Sequence, residues 1–181
     1  MYMRNYYVHI PELDLNDKQR QLLYKRYLSY KKQNKGYNKN TYDHFTTLHT
    51  NIDVLKGIYS DTALKTIEEL CKDFPKDDKF KRESSYEFLT TTGEVKIHRD
   101  PVRLAVLTIP IKHDNSQLEF WNENEKRIIT QLDYGNKTYI MKTRTPHRVT
   151  TSSKDRVFWQ ASIFIKDYKL VMTEYLQGKL F

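Results

Sequence analysis

Hydrophobic and polar positions follow two different periods along the 181 residues of the chain. Up to about Arg82, apolar residues recur at steps of three and four, which is typical of amphipathic helices. From Tyr86 onward the period changes to two, which is typical of strands that bury one face. The sequence therefore predicts helices in the first half of the chain and strands in the second.

Three helices are predicted in the first half. The first follows Asn16 and Gln19, whose three-residue spacing resembles a capping box. The second is expected over Thr41–Asn51. The third is expected to begin at an Asp61 cap and to end ahead of Pro75, since a proline disfavours helical geometry in the residue before it.

Eight short β-rich runs follow, and turn residues separate them. They are Tyr86–Thr91, Glu94–Arg99, Arg103–Ile111, Leu118–Trp121, Arg127–Leu132, Thr138–Thr143, His147–Thr150 and Arg156–Ile165. Eight strands without intervening helices favour a sandwich or barrel over a parallel α/β sheet. Asn5–Ile10 is a further candidate edge strand. We expect one domain, with helical support over 1–85, a β core over 86–165 and a tail over 166–181 that fits either helix or strand.

Composition narrows the class of protein. The chain is 38% hydrophobic and 30% charged, which is a globular mixture. Cys71 is the only cysteine, which excludes an internal disulfide and a cysteine-cluster metal site and favours a reducing cytoplasm. No apolar run approaches the ~18 residues of a membrane helix, so no membrane partner is expected. Met1–Ile10 lacks the apolar segment of a secretory signal.

The formal charge of +8 is unevenly distributed. The segment from Lys18 to Tyr42 contains eight lysines and arginines and no acidic residue. A solvated helix face is the favoured interpretation, and contact with a polyanion is the alternative. Tyr27 and Tyr30 fall on the apolar stripe of the helix, so they are expected to pack inward. We therefore expect only weak, non-specific nucleic-acid binding that falls steeply with salt.

The second half contains a possible metal-binding pattern. His98 and Asp100 are two apart in a predicted strand, so their side chains share a face. This pair alone is common by chance, but His147 follows Pro146 at a later strand, and Arg156 begins the next one. Two imidazoles and one carboxylate form the facial triad that holds non-haem Fe(II) and leaves coordination positions open.

These segments resemble the Fe(II)/2-oxoglutarate-dependent dioxygenase superfamily. The resemblance is carried by His98-Arg99-Asp100-Pro101-Val102-Arg103, Leu104–Ile111, Leu118-Glu119-Phe120-Trp121, Pro146-His147-Arg148-Val149 and Arg156. It covers about Tyr86 to Ile165, and it is strongest with prolyl-hydroxylase-like and aspartyl/asparaginyl-hydroxylase-like members, including small phage-encoded ones. The fold that it implies is the double-stranded β-helix, an eight-stranded jelly-roll.

The resemblance implies a ligand set and a reaction. His98, Asp100 and His147 would ligate Fe(II), and Arg156 would pair with the distal carboxylate of 2-oxoglutarate. Dioxygen and 2-oxoglutarate would react to give succinate and carbon dioxide, an unactivated carbon of the substrate would be hydroxylated, and ascorbate is an expected auxiliary reductant.

A second residue for the 2-oxoglutarate carboxylate stays open at this point. Many relatives place a serine two residues after the arginine, whereas this chain has Phe158 there. Thr108, Tyr86 and Tyr139 could each supply the hydroxyl. Lys154 is a rival carboxylate partner, but it lies in a polar run and is expected to be solvated.

The favoured substrate is a peptidyl or free amino acid, of prolyl or asparaginyl type. A dioxygenase that acts on nucleic acid is one alternative. A catalytically silent jelly-roll module that binds a ligand or belongs to a virion is another, and in that case the metal ligands would persist without turnover.

Overall fold

The computed structural model describes residues 6–33, 39–40, 45–72, 84–113, 116–150 and 155–181. The helices are α1 (Asp17–Gln33), α2 (Asp61–Cys71) and α3 (Tyr168–Leu176), and two short 3₁₀ turns span Pro11–Leu13 and Ile52–Leu55. The strands are β1 (Tyr7–His9), β2 (Lys39–Asn40), β3 (Phe45–His49), β4 (Tyr86–Thr91), β5 (Val95–His98), β6 (Ala105–Lys112), β7 (Gln117–Trp121), β8 (Ile128–Asp133), β9 (Tyr139–Lys142), β10 (His147–Val149) and β11 (Arg156–Ile163).

The strands form two antiparallel sheets. The large sheet has the order β1-β9-β6-β11-β4-β3-β2, and the small sheet has the order β5-β10-β7-β8. Of the eight strands β4 to β11, four lie side by side in each sheet. The chain passes from one sheet to the other at most of the turns between them. The architecture is therefore mainly β with helices, around a jelly-roll core.

The eight predicted strands are confirmed, and so are the strand near the N-terminus and the capping box. Asn16 and Gln19 exchange hydrogen bonds, with the Gln19 N–H donating to Asn16 Oδ1 at 3.0 Å and the Asn16 N–H donating to Gln19 Oε1 at 2.9 Å. Helix α2 is also confirmed, but its cap is Ser60, whose hydroxyl accepts from the N–H of Ala63. The ambiguous tail forms helix α3.

The helix expected over Thr41–Asn51 is wrong. Residues 45–49 form β3, which pairs with β4 along its whole length, and residues 41–44 lie outside the described part of the chain. Thr46 and Thr47 are β-branched and suit a strand. The backbone of β4 offers them a ladder of hydrogen bonds, which the helical period of the sequence does not reveal.

Two cores lie on opposite faces of the large sheet. The outer core packs the helices on the sheet and includes Trp159, Phe88 and Leu107, all fully buried. The inner core lies between the sheets and includes Phe158 and Phe120. The site described below lies at the inner core, because its candidate ligands lie on or beside the small sheet and its supporting side chains come from the large one.

Helix α1 rests on the outer face of the large sheet. Tyr27 is buried and its ring lies 5.6 Å from that of Phe88, while the Tyr30 ring lies 5.8 Å from Phe88. The expectation that these tyrosines pack inward is therefore confirmed. Lys18 and Lys25 are exposed, as are Lys31 and Lys32, whereas Lys35, Tyr37 and Tyr42 lie outside the described residues. In the ranges that the structure describes, no helix combines the length and apolar character of a membrane span.

Candidate metal centre

Strand pairing brings the two histidines together. Strand β10 lies between β5 and β7, and His147 is the Cα partner of both His98 and Phe120. The imidazole centroids of His98 and His147 are 4.4 Å apart. Asp100 follows β5, and its N–H donates to the carbonyl of Thr143 at 3.1 Å, which holds this segment beside the loop that leads to His147.

The three side chains form a compact set of donor atoms. One ligating atom from each of His98, Asp100 and His147 lies within 4.8 Å of the other two, and His98 Nε2 is 3.9 Å from Asp100 Oδ1. His147 and Asp100 are buried, whereas the side chain of His98 is 37% exposed. The cluster is therefore open to solvent on the His98 side.

Backbone carbonyls orient both imidazoles in the same way. His98 Nδ1 lies 2.8 Å from the carbonyl oxygen of Lys96, and His147 Nδ1 lies 2.8 Å from that of Thr145. A carbonyl only accepts, so each Nδ1 carries a proton, and in the neutral form of either ring the lone pair is then on Nε2. Histidines that ligate metals have this arrangement, because the second hydrogen bond sets both the tautomer and the ring orientation.

Burial determines the charge state of His147. It lowers the pKa of this imidazole to about 4, a direction that the neighbouring Asp100 carboxylate opposes and that His98 reinforces. His147 is therefore neutral near pH 7, as a metal ligand must be. For Asp100, burial favours the neutral acid, but Arg103, His147 and His98 together hold the pKa of the carboxyl below its ordinary value.

A network of buried polar side chains contacts Asp100 through Arg103. Arg103 Nε donates to Asp100 Oδ2 at 2.5 Å, and its Nη1 lies 3.2 Å from Gln160 Oε1 and 3.6 Å from Glu87 Oε1. Gln160 Nε2 donates in turn to the hydroxyl of Thr108 at 3.1 Å. These partners lie on β4, β6 and β11, so the network spans the middle of the large sheet.

Arg156 begins β11 and is fully buried. Its Nη1 donates to the carbonyl of Thr150 at 3.1 Å, and its Nη2 donates to the carbonyl of Gly93 at 2.5 Å. Both guanidiniums, of Arg156 and Arg103, interact electrostatically with the phenol of Tyr134. Burial raises the pKa of Tyr134 above its ordinary value, and its hydroxyl donates to the sulfur of Met141 at 3.2 Å.

The three hydroxyls considered for the second carboxylate contact lie in different places. Thr108 is fully buried and belongs to the network behind Asp100. Tyr139 pairs with Thr108 across β9 and β6 and joins the inner core. Tyr86 instead packs with the outer core, where its ring stacks on Trp159 at 5.5 Å. The structure does not bring Tyr86 to the site, because residue 86 and residue 87 point to opposite faces of β4.

Two other basic residues could compete with Arg156 for a carboxylate, namely Lys154 and Arg144. Arg144 is exposed and its Nη2 donates to the carbonyl of Val102 at 3.3 Å. Lys154 lies outside the described residues.

Sequence reasoning missed four residues of this region: Arg103, Glu87, Gln160 and Tyr134. Gln160 had a detectable signal, since it shares the two-residue period of Arg156 and Ser162 on a strand whose other residues are apolar. Arg103 ends the motif that begins at His98, but the sequence assigned it no role. Glu87 and Tyr134 come from a strand and a turn whose proximity to Arg103 depends on the tertiary fold.

A second polar cluster braces His147 from the outer side of the small sheet. Arg148 Nε donates to Glu119 Oε2 at 2.5 Å, and its guanidinium lies 5.1 Å from the ring of Trp121. The side chain of Glu119 is almost fully buried, and it also accepts from Gln131 and Trp121. These contacts join β7, β8 and β10 and hold the strand that carries His147 in register.

The donor set fits a divalent transition metal. It offers two imidazole nitrogens and one carboxylate oxygen from neighbouring side chains, and three protein ligands leave coordination positions for other molecules. Among the residues that the structure describes, this is the one group of three or more histidine, cysteine or acidic side chains with such spacing.

Solved structures share this fold over nearly the whole chain. A prolyl hydroxylase from Trichoplax adhaerens, in complex with a hypoxia-inducible-factor oxygen degradation domain peptide fragment, has a TM-score of 0.62 and 12% identity, over 94% of this chain and 87% of that one. A prolyl-4-hydroxylase from Pseudomonas putida has a TM-score of 0.54 and 14% identity, over 89% and 93%. The non-haem α-ketoglutarate-dependent epimerase SnoN of nogalamycin biosynthesis has a TM-score of 0.54 and 11% identity, over 86% and 76%.

The sequence itself matches no family model and no curated protein. The resemblance to the Fe(II)/2-oxoglutarate-dependent superfamily is therefore confirmed at the level of fold. The chain adopts the fold of prolyl hydroxylases and related oxygenases.

Proposed function

We propose that the protein is a non-haem Fe(II)/2-oxoglutarate-dependent dioxygenase that hydroxylates an unactivated carbon of a peptidyl or free amino acid, of prolyl or asparaginyl type. The observation that carries the proposal is the orientation of two imidazoles and one carboxylate toward a common point inside a jelly-roll. The Nδ1 atom of each imidazole lies within hydrogen-bond distance of a backbone carbonyl. His98 Nε2 lies 3.9 Å from Asp100 Oδ1, and one ligating atom of each of the three residues lies within 4.8 Å of the other two.

His98, Asp100 and His147 would hold the iron. Bound there, Fe(II) would let 2-oxoglutarate reduce dioxygen, with succinate and carbon dioxide as products and one oxygen atom left for the substrate. The protein's share is to place the reactants and to exclude water. The buried position of His147 and Asp100 serves exclusion, and the exposed edge of His98 leaves an approach for a substrate.

Arg156 would bind the distal carboxylate of 2-oxoglutarate. Its guanidinium is buried, stays charged when desolvated, and is held by two backbone carbonyls. Thr108 and Tyr139 are the hydroxyls on the inner side of the large sheet that would assist it, and the Tyr134 phenol, which interacts with both guanidiniums, is a third.

Charge balance supports this cosubstrate. The carboxylates of Asp100 and Glu87 are balanced by the guanidiniums of Arg103 and Arg156 in the interior. A divalent cation would leave an excess of two positive charges, and 2-oxoglutarate is a dianion. Burying a charge without a partner is costly, so a neutral complex is the favoured state.

A turnover assay tests the proposal. Protein supplied with Fe(II), 2-oxoglutarate, ascorbate and air should form succinate slowly without a substrate, and faster when a substrate is added. The screen should include proline- and asparagine-containing peptides, free amino acids and single-stranded oligonucleotides. His113→Ala serves as a control, because this histidine lies apart from the cluster, beside Asp133.

Each outcome has a defined meaning. Succinate formation that is stimulated by peptides would support the proposal, and stimulation by oligonucleotides alone would move the substrate to nucleic acid. Stoichiometric metal binding without succinate would favour a silent binding module.

We also infer a cytoplasmic location, since the buried Cys71 thiol is free.

A further inference from the structure

The two oxygens of the Asp100 carboxylate have different partners. Oδ1 lies 3.9 Å from His98 Nε2, within the cluster of ligating atoms, whereas Oδ2 accepts from Arg103 Nε at 2.5 Å. A carboxylate on a flexible side chain can rotate and can offer a metal one oxygen or both. Here the guanidinium holds one oxygen, so the other is directed at the cluster.

Arg103 is itself immobilised. Its side chain is 11% exposed, and its Nη1 lies between Gln160 Oε1 at 3.2 Å and Glu87 Oε1 at 3.6 Å. Gln160 is fixed in turn by its hydrogen bond to Thr108. The backbone is also tied, since the Thr143 hydroxyl donates to the carbonyl of Arg103 at 2.9 Å.

These contacts connect the two sheets. Asp100 follows a strand of the small sheet, while Glu87 and Gln160 belong to adjacent strands of the large sheet. The position of the Asp100 side chain is therefore fixed by contacts with the buried large sheet, and not only by the loop on which Asp100 lies.

We propose that Arg103 is the positioning residue of the metal centre: it fixes Asp100 so that a single oxygen, Oδ1, is presented to the metal. The inference rests on the proposed metal-binding function. An arginine suits the role because its planar fork carries several donors in fixed directions, so one guanidinium can bind Asp100 and the bracing groups at once. A lysine at the same place would keep the charge but not these directions.

Arg99 provides a matched comparison in the same loop. It also forms an ion pair with a carboxylate, Glu123, at 2.6 Å, but its side chain is 40% exposed and that of Glu123 is 78% exposed. Such a surface pair contributes little. Arg99→Lys therefore controls for the loss of a guanidinium near the cluster.

The test is a titration of metal-free protein with Co(II), followed by its visible absorption, on wild type, Arg103→Lys and Arg99→Lys. Co(II) absorption depends on the number and arrangement of ligands, so it reports the coordination of Asp100 and not only the amount of folded protein. Arg103→Lys should weaken Co(II) binding about 10–100-fold and should change the absorption band. Arg99→Lys should leave both unchanged.

A second variant keeps the test decisive if Arg103→Lys does not fold. Glu87→Gln combined with Arg103→Met removes the guanidinium together with a carboxylate that it neutralises, and should show the same weakening and the same spectral change. A variant that loses thermal stability but keeps the wild-type affinity and band would overturn the inference and leave Arg103 a structural role. Wild-type protein that binds no Co(II) would instead overturn the proposed function itself.

Discussion

The two faces of strand β11 differ sharply, although all eight of its residues are buried. The face toward the helices carries Val157, Trp159, Ala161 and Ile163, and the face toward the small sheet carries Arg156, Phe158, Gln160 and Ser162. One face is wholly apolar, whereas the other buries a guanidinium, an amide and a hydroxyl. The neighbouring strands repeat this difference, with Leu107 and Ile109 on the outer side of β6 and Thr108 on the inner side.

The comparison separates stability from chemistry. An apolar face stabilises the fold through burial alone, whereas each buried polar group costs about 1–3 kcal/mol unless it is paired. The inner face buries polar groups on three adjacent strands. Their desolvation is offset only by the hydrogen bonds and ion pairs that these groups form with one another and with Arg103. Polar groups in such a position are expected where a site requires them, which is why we place the site on this face.

The largest effect should come from Asp100→Ala, which removes the only carboxylate among the three proposed ligands. Two imidazoles alone should not retain a divalent metal through gel filtration, so metal content should fall from stoichiometric to background. Metal analysis with circular dichroism measures this, and His113→Ala should retain the metal. Stoichiometric metal in a folded Asp100→Ala protein would show that the assignment is wrong.

Arg156→Ala should act on the cosubstrate rather than on the metal. Loss of a buried charge-assisted pair costs about 2–5 kcal/mol, so the affinity for 2-oxoglutarate should fall about 30-fold or more while Fe(II) binding is nearly unchanged. Titration of the metal-to-2-oxoglutarate charge-transfer band gives both quantities. Equal affinity in wild type and variant would transfer the role to Arg144 or Lys154.

Ile109→Ala probes the apolar face one residue from Thr108. Ile109 is fully buried in the outer core, so the free energy of unfolding should fall by about 2–5 kcal/mol. The molecules that remain folded should bind metal with wild-type affinity, because the substitution lies on the opposite side of the sheet. Urea unfolding and metal titration measure the two effects. A weakened metal site in folded protein would contradict the separation of the two faces.

Thr108→Val should have a smaller effect on stability. The Gln160 amide would lose its acceptor inside the fold, and an unpaired buried donor costs about 1–3 kcal/mol. Thr108→Ser keeps the hydroxyl and should restore part of this loss, which distinguishes the hydrogen bond from packing. A valine variant with wild-type stability in urea would show that the hydrogen bond between Gln160 and Thr108 does not contribute to the free energy of unfolding.

The smallest effect should come from the exposed lysines of α1. Tyr27 and Tyr30 pack against Phe88, so they offer no stacking surface for bases, and binding to a single-stranded oligonucleotide should be weak and should fall steeply with salt. Fluorescence anisotropy at low and physiological salt measures this. Tight binding that survives physiological salt and is lost on replacement of Lys31 and Lys32 by glutamate would make a nucleobase the leading substrate.

Local patterns were sufficient for most of the elements and for naming candidate ligands that the fold then brings together. The two-residue period identified all eight strands of the jelly-roll, and Asn16 with Gln19 identified the start of α1. The strand period and the helix cap can be read from the sequence because each depends only on residues a few positions apart in the chain. His98, Asp100 and His147 could be named because the chemistry of metal binding restricts the residue types.

Tertiary structure alone decided which groups meet. Residues 45–49 became a strand because β4 offered them a ladder of hydrogen bonds. Tyr86 packs on Trp159 in the outer core, and the sequence did not reveal this because both faces of β4 carry buried residues, Glu87 on one and Phe88 on the other. Arg103 gained its role only when β4 and β11 placed Glu87 and Gln160 beside it. Such contacts join residues far apart in the chain, and their energy depends on distances and burial that no local pattern contains.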